Sequence, residues 1–361
     1  MNSALRMAMV GVGRIGVHHA RRIQELGQST GACELTAIVD NFQDNAHRVA
    51  ELLQPSQATE IATFTDVSDL AAAGLTEAAM IASRTDDHHR DALTLIDAGH
   101  RVLLEKPLTG SVASAAEFVD YLNADARRSQ ALMIAFMRRF DRPLLSAKRL
   151  LESGRIGRPF KFVSVLEDPV PPPDGYNSPG LLIDMSVHNI DEIMWLLGKA
   201  PRSVMSLGAN LYNYTITPVV EDLDDAQLNM WFPDGVIGQV QVSRNHAAGY
   251  RNETWAFGEA GCIHVGHFQE DPLSVAVEAY GPNGLIERET FALKDYGDDV
   301  PVFIKRFGEA YAAELADFVQ CCRNNAPFRV THDDGLRAMR VAEAGSKSIR
   351  TEADAASVEY E

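Results

Sequence analysis

The sequence predicts two domains: an α/β half built on a parallel sheet, then an α+β half whose sheet is mostly antiparallel. Three observations carry this. The chain has 361 residues, more than one hydrophobic core usually serves. Up to Phe136, short apolar strands alternate with amphipathic helices. Beyond Arg142 that alternation gives way to a succession of strands divided by turn signals.

In the first half, residues 1–136, strands are expected at 6–10, 34–39, 78–82, 101–104 and 131–135. Helices are expected between them, among them 15–26, 88–98 and 113–123. Continuous apolar strands separated by helices indicate a parallel sheet covered on both faces. In the second half, residues 137–361, a helix at 144–153 and a strand at 160–166 lead into a proline-rich loop, 168–174. A helix is expected over 184–197, followed by strands at 203–208, 227–232, 236–243, 253–257, 263–266 and 275–280. Turns such as Pro233-Asp234-Gly235 and Pro282-Asn283-Gly284 separate them, and helices at 305–324 and 333–349 close the chain.

Charge narrows the function classes. Fifty acidic against 33 basic side chains leave a formal charge of -17, which repels phosphate backbones and anionic lipid, so neither nucleic acid nor membrane is expected as a partner. Cys33, Cys262, Cys321 and Cys322 form neither a disulfide framework nor a zinc spacing. No apolar run approaches the roughly 20 residues that span a bilayer. A soluble, cytoplasmic protein is the expectation.

Gly11-Val12-Gly13-Arg14-Ile15-Gly16 follows the first strand and opens the first helix. The first two glycines let the backbone turn and approach a pyrophosphate, the third allows close helix–strand packing, and the helix N-terminus favours an anion. Asp40 ends the next apolar strand, where a carboxylate holds ribose hydroxyls and repels a 2′-phosphate. NAD is therefore the expected cofactor, in preference to NADP.

Two further motifs point to chemistry. Lys106, in Glu105-Lys106-Pro107, stands at a strand's carboxyl end, the edge at which open parallel sheets bind ligands. Alone it reads first as a solvated surface charge. Asp184 and His188 are spaced i, i+4 at a helix start, on one helical face. Alone they read equally as an N-cap and a core histidine. Asp86-Asp87-His88-His89 has the look of a metal cluster, but at a helix start capping is favoured. The histidines His18-His19 are expected to be partly exposed or at the cofactor's edge.

At these residues the sequence resembles the glucose–fructose oxidoreductase / inositol dehydrogenase (Gfo/Idh/MocA) family, and within it the inositol 2-dehydrogenases. The likeness includes the glycine loop, Glu105-Lys106-Pro107, Phe136 to Asp141, the Asp168-Pro169 loop with its prolines, and Asp184 to His188. It continues through Gly249-Tyr250, Phe257-Gly258, Arg306-Phe307, Tyr311 and Glu314. It implies a Rossmann domain, an α+β domain with a large, mostly antiparallel open sheet, and a homo-oligomer, commonly a tetramer. It implies a Lys106–Asp184–His188 catalytic set and a Lys106-Pro107 peptide that is often cis. It sets the cofactor against Gly11, Gly13, Arg14, Ile15, Gly16, Asp40, Ser83, His88, Glu105 and Lys106. It nominates Asn189, Asp191 and Tyr250 as substrate contacts. Ser83-Arg84, Glu167 and Ser178-Pro179-Gly180 depart from the family's usual residues near the cofactor and the substrate loop.

The resulting expectation is metal-free, NAD-dependent oxidation of a secondary hydroxyl of a cyclic polyol, inositol-type (myo- or scyllo-), to the ketone. His188 would be the base, Lys106 the stabiliser of the alkoxide, and Asp184 an acceptor for a substrate hydroxyl. Two alternatives stand beside it. One is a pyranose dehydrogenase or keto-sugar reductase of the same family; the other is a non-catalytic NAD-sensing regulator. Retention of Lys106, Asp184 and His188 together speaks against the regulator.

Overall fold

The computed structural model describes residues 3–56, 59–169, 179–210, 222–268, 271–297, 299–350 and 356–360. Most of the proline-rich loop, together with Ser178, lies outside the described residues. The chain divides into two compact units: Met1–Phe136 with Ala312–Leu336, and Met137–Tyr311 with Arg337–Glu361.

The first unit runs β1 (Leu5–Val10), α1 (Gly16–Thr30), β2 (Cys33–Val39), α2 (Gln43–Leu53), β3 (Ala62–Phe64) and α3 (Val67–Ala73). It continues with β4 (Ala78–Ile81), α4 (His88–Asp97), β5 (Arg101–Glu105), α5 (Val112–Asn123), α6 (Ala126–Ser129) and β6 (Leu132–Ala135). The strands form one sheet in the order β3-β2-β1-β4-β5-β6, with every pair parallel. Met7, Met9, Ala79, Met80 and Leu104 are fully buried, as a sheet covered on both faces requires. Strand order reverses between β1 and β4, which opens a crevice at the strands' carboxyl ends. The short edge strand β3 lacks the long apolar run that marks the other strands, and the sequence gives no sign of it. Arg101 explains why the stretch Ala312–Leu336 belongs with this unit. Its guanidinium donates to the carbonyls of Cys321 and Ala326, each at 2.8 Å, and lies 4.0 Å over the Phe328 ring.

The second unit begins with α7 (Arg142–Glu152), β7 (Pro159–Glu167) and α8 (Val187–Leu197). There follow β8 (Ser203–Ala209), β9 (Asp225–Trp231), β10 (Ile237–Ser243), β11 (Arg251–Gly258), β12 (Gly261–Val265), β13 (Ser274–Gly281) and β14 (Gly284–Ala292). The helices α9 (Val302–Asn324) and α10 (His332–Arg350) contribute residues to both units, and the short strand β15 (Ala356–Ser357) follows α10. The sheet order is β14-β13-β12-β11-β7-β10-β9-β8-β15, antiparallel except between β7 and β10. The strand β14 goes unread in the sequence because it is an exposed, charge-rich edge with little alternation of burial.

Buried charge fastens α8 to this sheet. Ser164 of β7 and Thr254 of β11 stand opposite each other in register, and both hydroxyls donate to Glu192 Oε1, at 2.9 and 2.6 Å. Glu192 Oε2 accepts from Arg138 at 2.7 Å, and both side chains are out of contact with solvent. Asp141 caps α7 and accepts two bonds from the buried Arg306, at 2.7 and 2.9 Å. Deleting one partner of a buried ion pair strands the other charge. Glu192→Ala is therefore expected to destabilise the second unit by about 3–5 kcal/mol; urea unfolding of the purified variant checks this, and an unchanged midpoint contradicts it.

Candidate active site

The glycine loop is built by close contact. A Cβ added at Gly16 would stand 1.9 Å from the Gly11 carbonyl oxygen, and one at Gly11 would meet the Ser83 backbone at 2.5 Å. Gly11 also has a φ of 80°, which disfavours any side chain. At Gly13 the same construction meets nothing within 4 Å, so this residue borders open space. The helix α1 that follows has no side-chain cap and no acidic residue in its first turn, which leaves its positive end for an anion. Asp40 ties the loop to the end of β2. Its Oδ2 accepts from Val12 N–H at 2.9 Å, and its Oδ1 from Phe42 N–H at 3.0 Å. Gly11, Gly13, Gly16 and Asp40 thus gather at the ends of β1 and β2 in an arrangement that suits a dinucleotide. These residues fit NAD.

Around Lys106 the sequence is read only in part. The Lys106-Pro107 peptide is cis. The buried Glu105 uses both oxygens: Oε2 accepts from Lys106 N–H at 3.1 Å, and Oε1 from His19 Nε2–H at 2.8 Å. Burial keeps the His19 imidazole below its ordinary range, hence neutral. Burial would raise the Glu105 carboxyl, but the His19 bond and the nearby Lys106 charge outweigh it and leave Glu105 low and ionised. His19 is therefore buried and structural, where partial exposure or a place at the cofactor's edge was expected. Its signal was its spacing, three residues past Gly16 and four before the buried Ile23.

His88 is also buried, with its ring nitrogens 2.8 Å from the Pro107 carbonyl and 3.2 Å from the Ser83 carbonyl. It joins the loops after β4 and β5, and burial lowers its pKa. Ser83 Oγ donates to Asp91 at 2.8 Å. Asp87 occupies the N-cap of α4 without a capping bond and pairs instead with Arg90 at 3.1 Å, which corrects the capping expectation.

In the second unit a π turn, Leu182–Ser186, precedes α8, so the α-helix begins at Val187 and not at Asp184. Such turns recur at functional sites. Asp184, on the π turn, and His188, in the first turn of α8, are both buried. Arg244, just past β10, donates to Asp184 Oδ2 at 3.2 Å and also bonds Asp222. Sequence reasoning missed Arg244, although a charge at the end of an apolar strand is the signal that singled out Lys106.

The proposed substrate contacts divide. Asn189 has no exposed surface and donates to Ser164 at 2.7 Å, and Asp191 takes two bonds from Arg139, at 2.9 and 2.6 Å. Each thus has an internal partner, while Asn189 Oδ1 is buried without a hydrogen-bond partner among the described residues. The Tyr250 hydroxyl is buried without a hydrogen-bond partner among the described residues. Burial, then the Asp168 charge, pushes that phenol well above its ordinary pKa, so it keeps its proton for donation.

The parallel sheet, the glycine cradle and the acid at the end of β2 define a dinucleotide-dependent oxidoreductase. Residues 5–133 match the family described as "Oxidoreductase family, NAD-binding Rossmann fold", and residues 144–264 match "GFO/IDH/MocA C-terminal domain". An inositol 2-dehydrogenase of Streptomyces avermitilis is 30% identical over 97% of this chain and 94% of its own. A myo-inositol 2-dehydrogenase of Thermotoga maritima is 27% identical over 96% of each chain. The crystal structure of scyllo-inositol dehydrogenase from Lactobacillus casei, with bound NAD(H) and scyllo-inositol, superposes with a TM-score of 0.80 at 25% identity, covering 98% of this chain and 99% of that one. The chain belongs to the GFO/IDH/MocA oxidoreductase family.

The glycine geometry separates folding from binding. Gly13→Ala is expected to keep its unfolding midpoint within about 1 kcal/mol of the parent, the usual size of a glycine-to-alanine effect, and to weaken NAD binding. Gly16→Ala is expected to lower stability itself, because backbone must move. Calorimetric titration with NAD beside thermal melts of both variants reads this; tight NAD binding by Gly13→Ala contradicts the cradle.

Proposed function

We propose that this protein is an NAD-dependent dehydrogenase that oxidises one secondary hydroxyl of an inositol-type cyclic polyol to the ketone. The observation that carries the proposal is similarity along both units to proteins named inositol 2-dehydrogenases, not only along the generic nucleotide-binding half. When bound, NAD supplies the hydride acceptor. His188 takes the hydroxyl proton, since an imidazole titrates near neutrality and can pass the proton on. The Lys106 ammonium holds the same oxygen and stabilises the negative charge that develops there. Asp184 accepts from a substrate hydroxyl, with its carboxylate steadied by Arg244. Tyr250 offers its hydroxyl to another.

Glu105 and His19 are positioning residues. They fix the backbone at Lys106 and keep an anion beside its ammonium. We also read the protein as a cytoplasmic homotetramer. The family resemblance supports the assembly, and four cysteines without a disulfide suit a reducing compartment.

NADH formation with myo-inositol, scyllo-inositol and glucose tests the substrate class. Turnover of an inositol supports the proposal, turnover of glucose alone favours the pyranose reading, and silence on all three rejects both. His188→Ala and Lys106→Ala are each expected to lose about 10²–10⁴-fold in kcat while still binding NAD. Near-normal kcat in either variant contradicts its assigned role.

A further inference from the structure

The second sheet carries a cluster that the dehydrogenase chemistry does not use. We propose that His264, His267 and Glu278 bind one divalent transition-metal ion of the zinc class. His264 of β12 stands opposite Glu278 of β13 in register, so the sheet itself fixes their separation. One ligand atom from each of the three residues lies within 4.8 Å of the others. The closest approaches to Glu278 Oε2 are 3.1 Å from His267 Nε2 and 3.8 Å from His264 Nδ1. Metal–ligand bonds of about 2.1 Å in a tetrahedral array put ligand atoms about 3.4 Å apart, between these two values. Two imidazoles and one carboxylate form a donor set suited to zinc, with water in the fourth position.

The surroundings are those of a metal-ligating histidine. Nε2 of His264 is shut off from solvent, with Glu253 Oε2 3.5 Å away, and Arg251 holds that carboxylate at 2.7 Å. A carboxylate on the far nitrogen of a histidine sets its tautomer and raises its basicity as a ligand. With its proton on Nε2, His264 turns the lone pair of Nδ1 towards Glu278. Two acceptors then face each other, and a cation between them removes that repulsion. Trp255 stacks on the His264 ring at 3.7 Å and fixes its plane. The Tyr280 hydroxyl donates to Glu278 Oε2 at 2.6 Å, which orients the carboxylate.

Charge favours the same reading. Glu167, Glu253 and Glu278 are linked to two guanidiniums, Arg251 and Arg288. Three carboxylates thus stand against two arginines, a balance that suits a cation. His267 is about one-third exposed and gives an ion a way in. The bound ion would pin β12 to β13 and stabilise the second unit by mass action.

The test uses the full-length protein after chelator treatment, titrated with Zn2+ by calorimetry and with Co2+ by visible absorption. The expected result is one equivalent per chain, with the intense bands of four-coordinate Co2+, and a raised melting temperature with Zn2+. His267→Gln alters the most exposed ligand, so it is expected to fold normally and keep NADH formation while binding Zn2+ at least about tenfold more weakly. Absence of Zn2+ binding at micromolar concentration, or equal affinity in His267→Gln, overturns the proposal. NADH formation on the same samples reports separately on the dehydrogenase reading.

Discussion

The first unit rests on one close approach: α1 begins so near the end of β1 that only hydrogen fits at Gly16 against the Gly11 carbonyl oxygen. That contact aims the helix's positive end past the central strand, into the crevice where strand order reverses. It also fixes the direction in which α1 leaves the sheet. Three residues on, His19 meets Glu105 at the end of β5, and Glu105 in turn holds the backbone of Lys106. One glycine contact is thus linked, through two buried side chains, to the lysine assigned to the chemistry.

The second unit obeys a different constraint. Four arginines there hold buried carboxylates: Arg138 holds Glu192, Arg306 holds Asp141, Arg139 holds Asp191, and Arg244 holds both Asp184 and Asp222. Buried pairs of this kind add little net stability over apolar packing, but they penalise any arrangement that separates them. Their effect here is positional. They fix the rotation of α8 and the π turn before it, and with them the setting of Asp184 and His188.

What the sequence reveals follows the range of each interaction. The glycine loop was legible because a strand, a turn and a helix start lie within a few residues of one another, whereas Lys106 stood out as a reactive residue only through the family resemblance. The pair of His19 and Glu105, 86 positions apart, was not legible, because nothing local couples a helix histidine to a distant strand end. The internal partners of Asn189 and Asp191 were hidden for the same reason. A polar residue near a presumed active residue suggests a ligand contact, while Ser164 and Arg139, which bond these two, come from other elements. The edge strands β3 and β14 escaped because one is too short and the other too exposed to carry a burial pattern.

The central claim is that the glycine cradle and the Asp40 carboxylate make an NAD site that rejects a 2′-phosphate. Calorimetric titration of the purified protein with NAD and, separately, with NADP tests it most directly. The account predicts NAD binding tighter by at least about tenfold, a difference of about 1.4 kcal/mol; NADP bound as tightly as NAD, or more tightly, would contradict it.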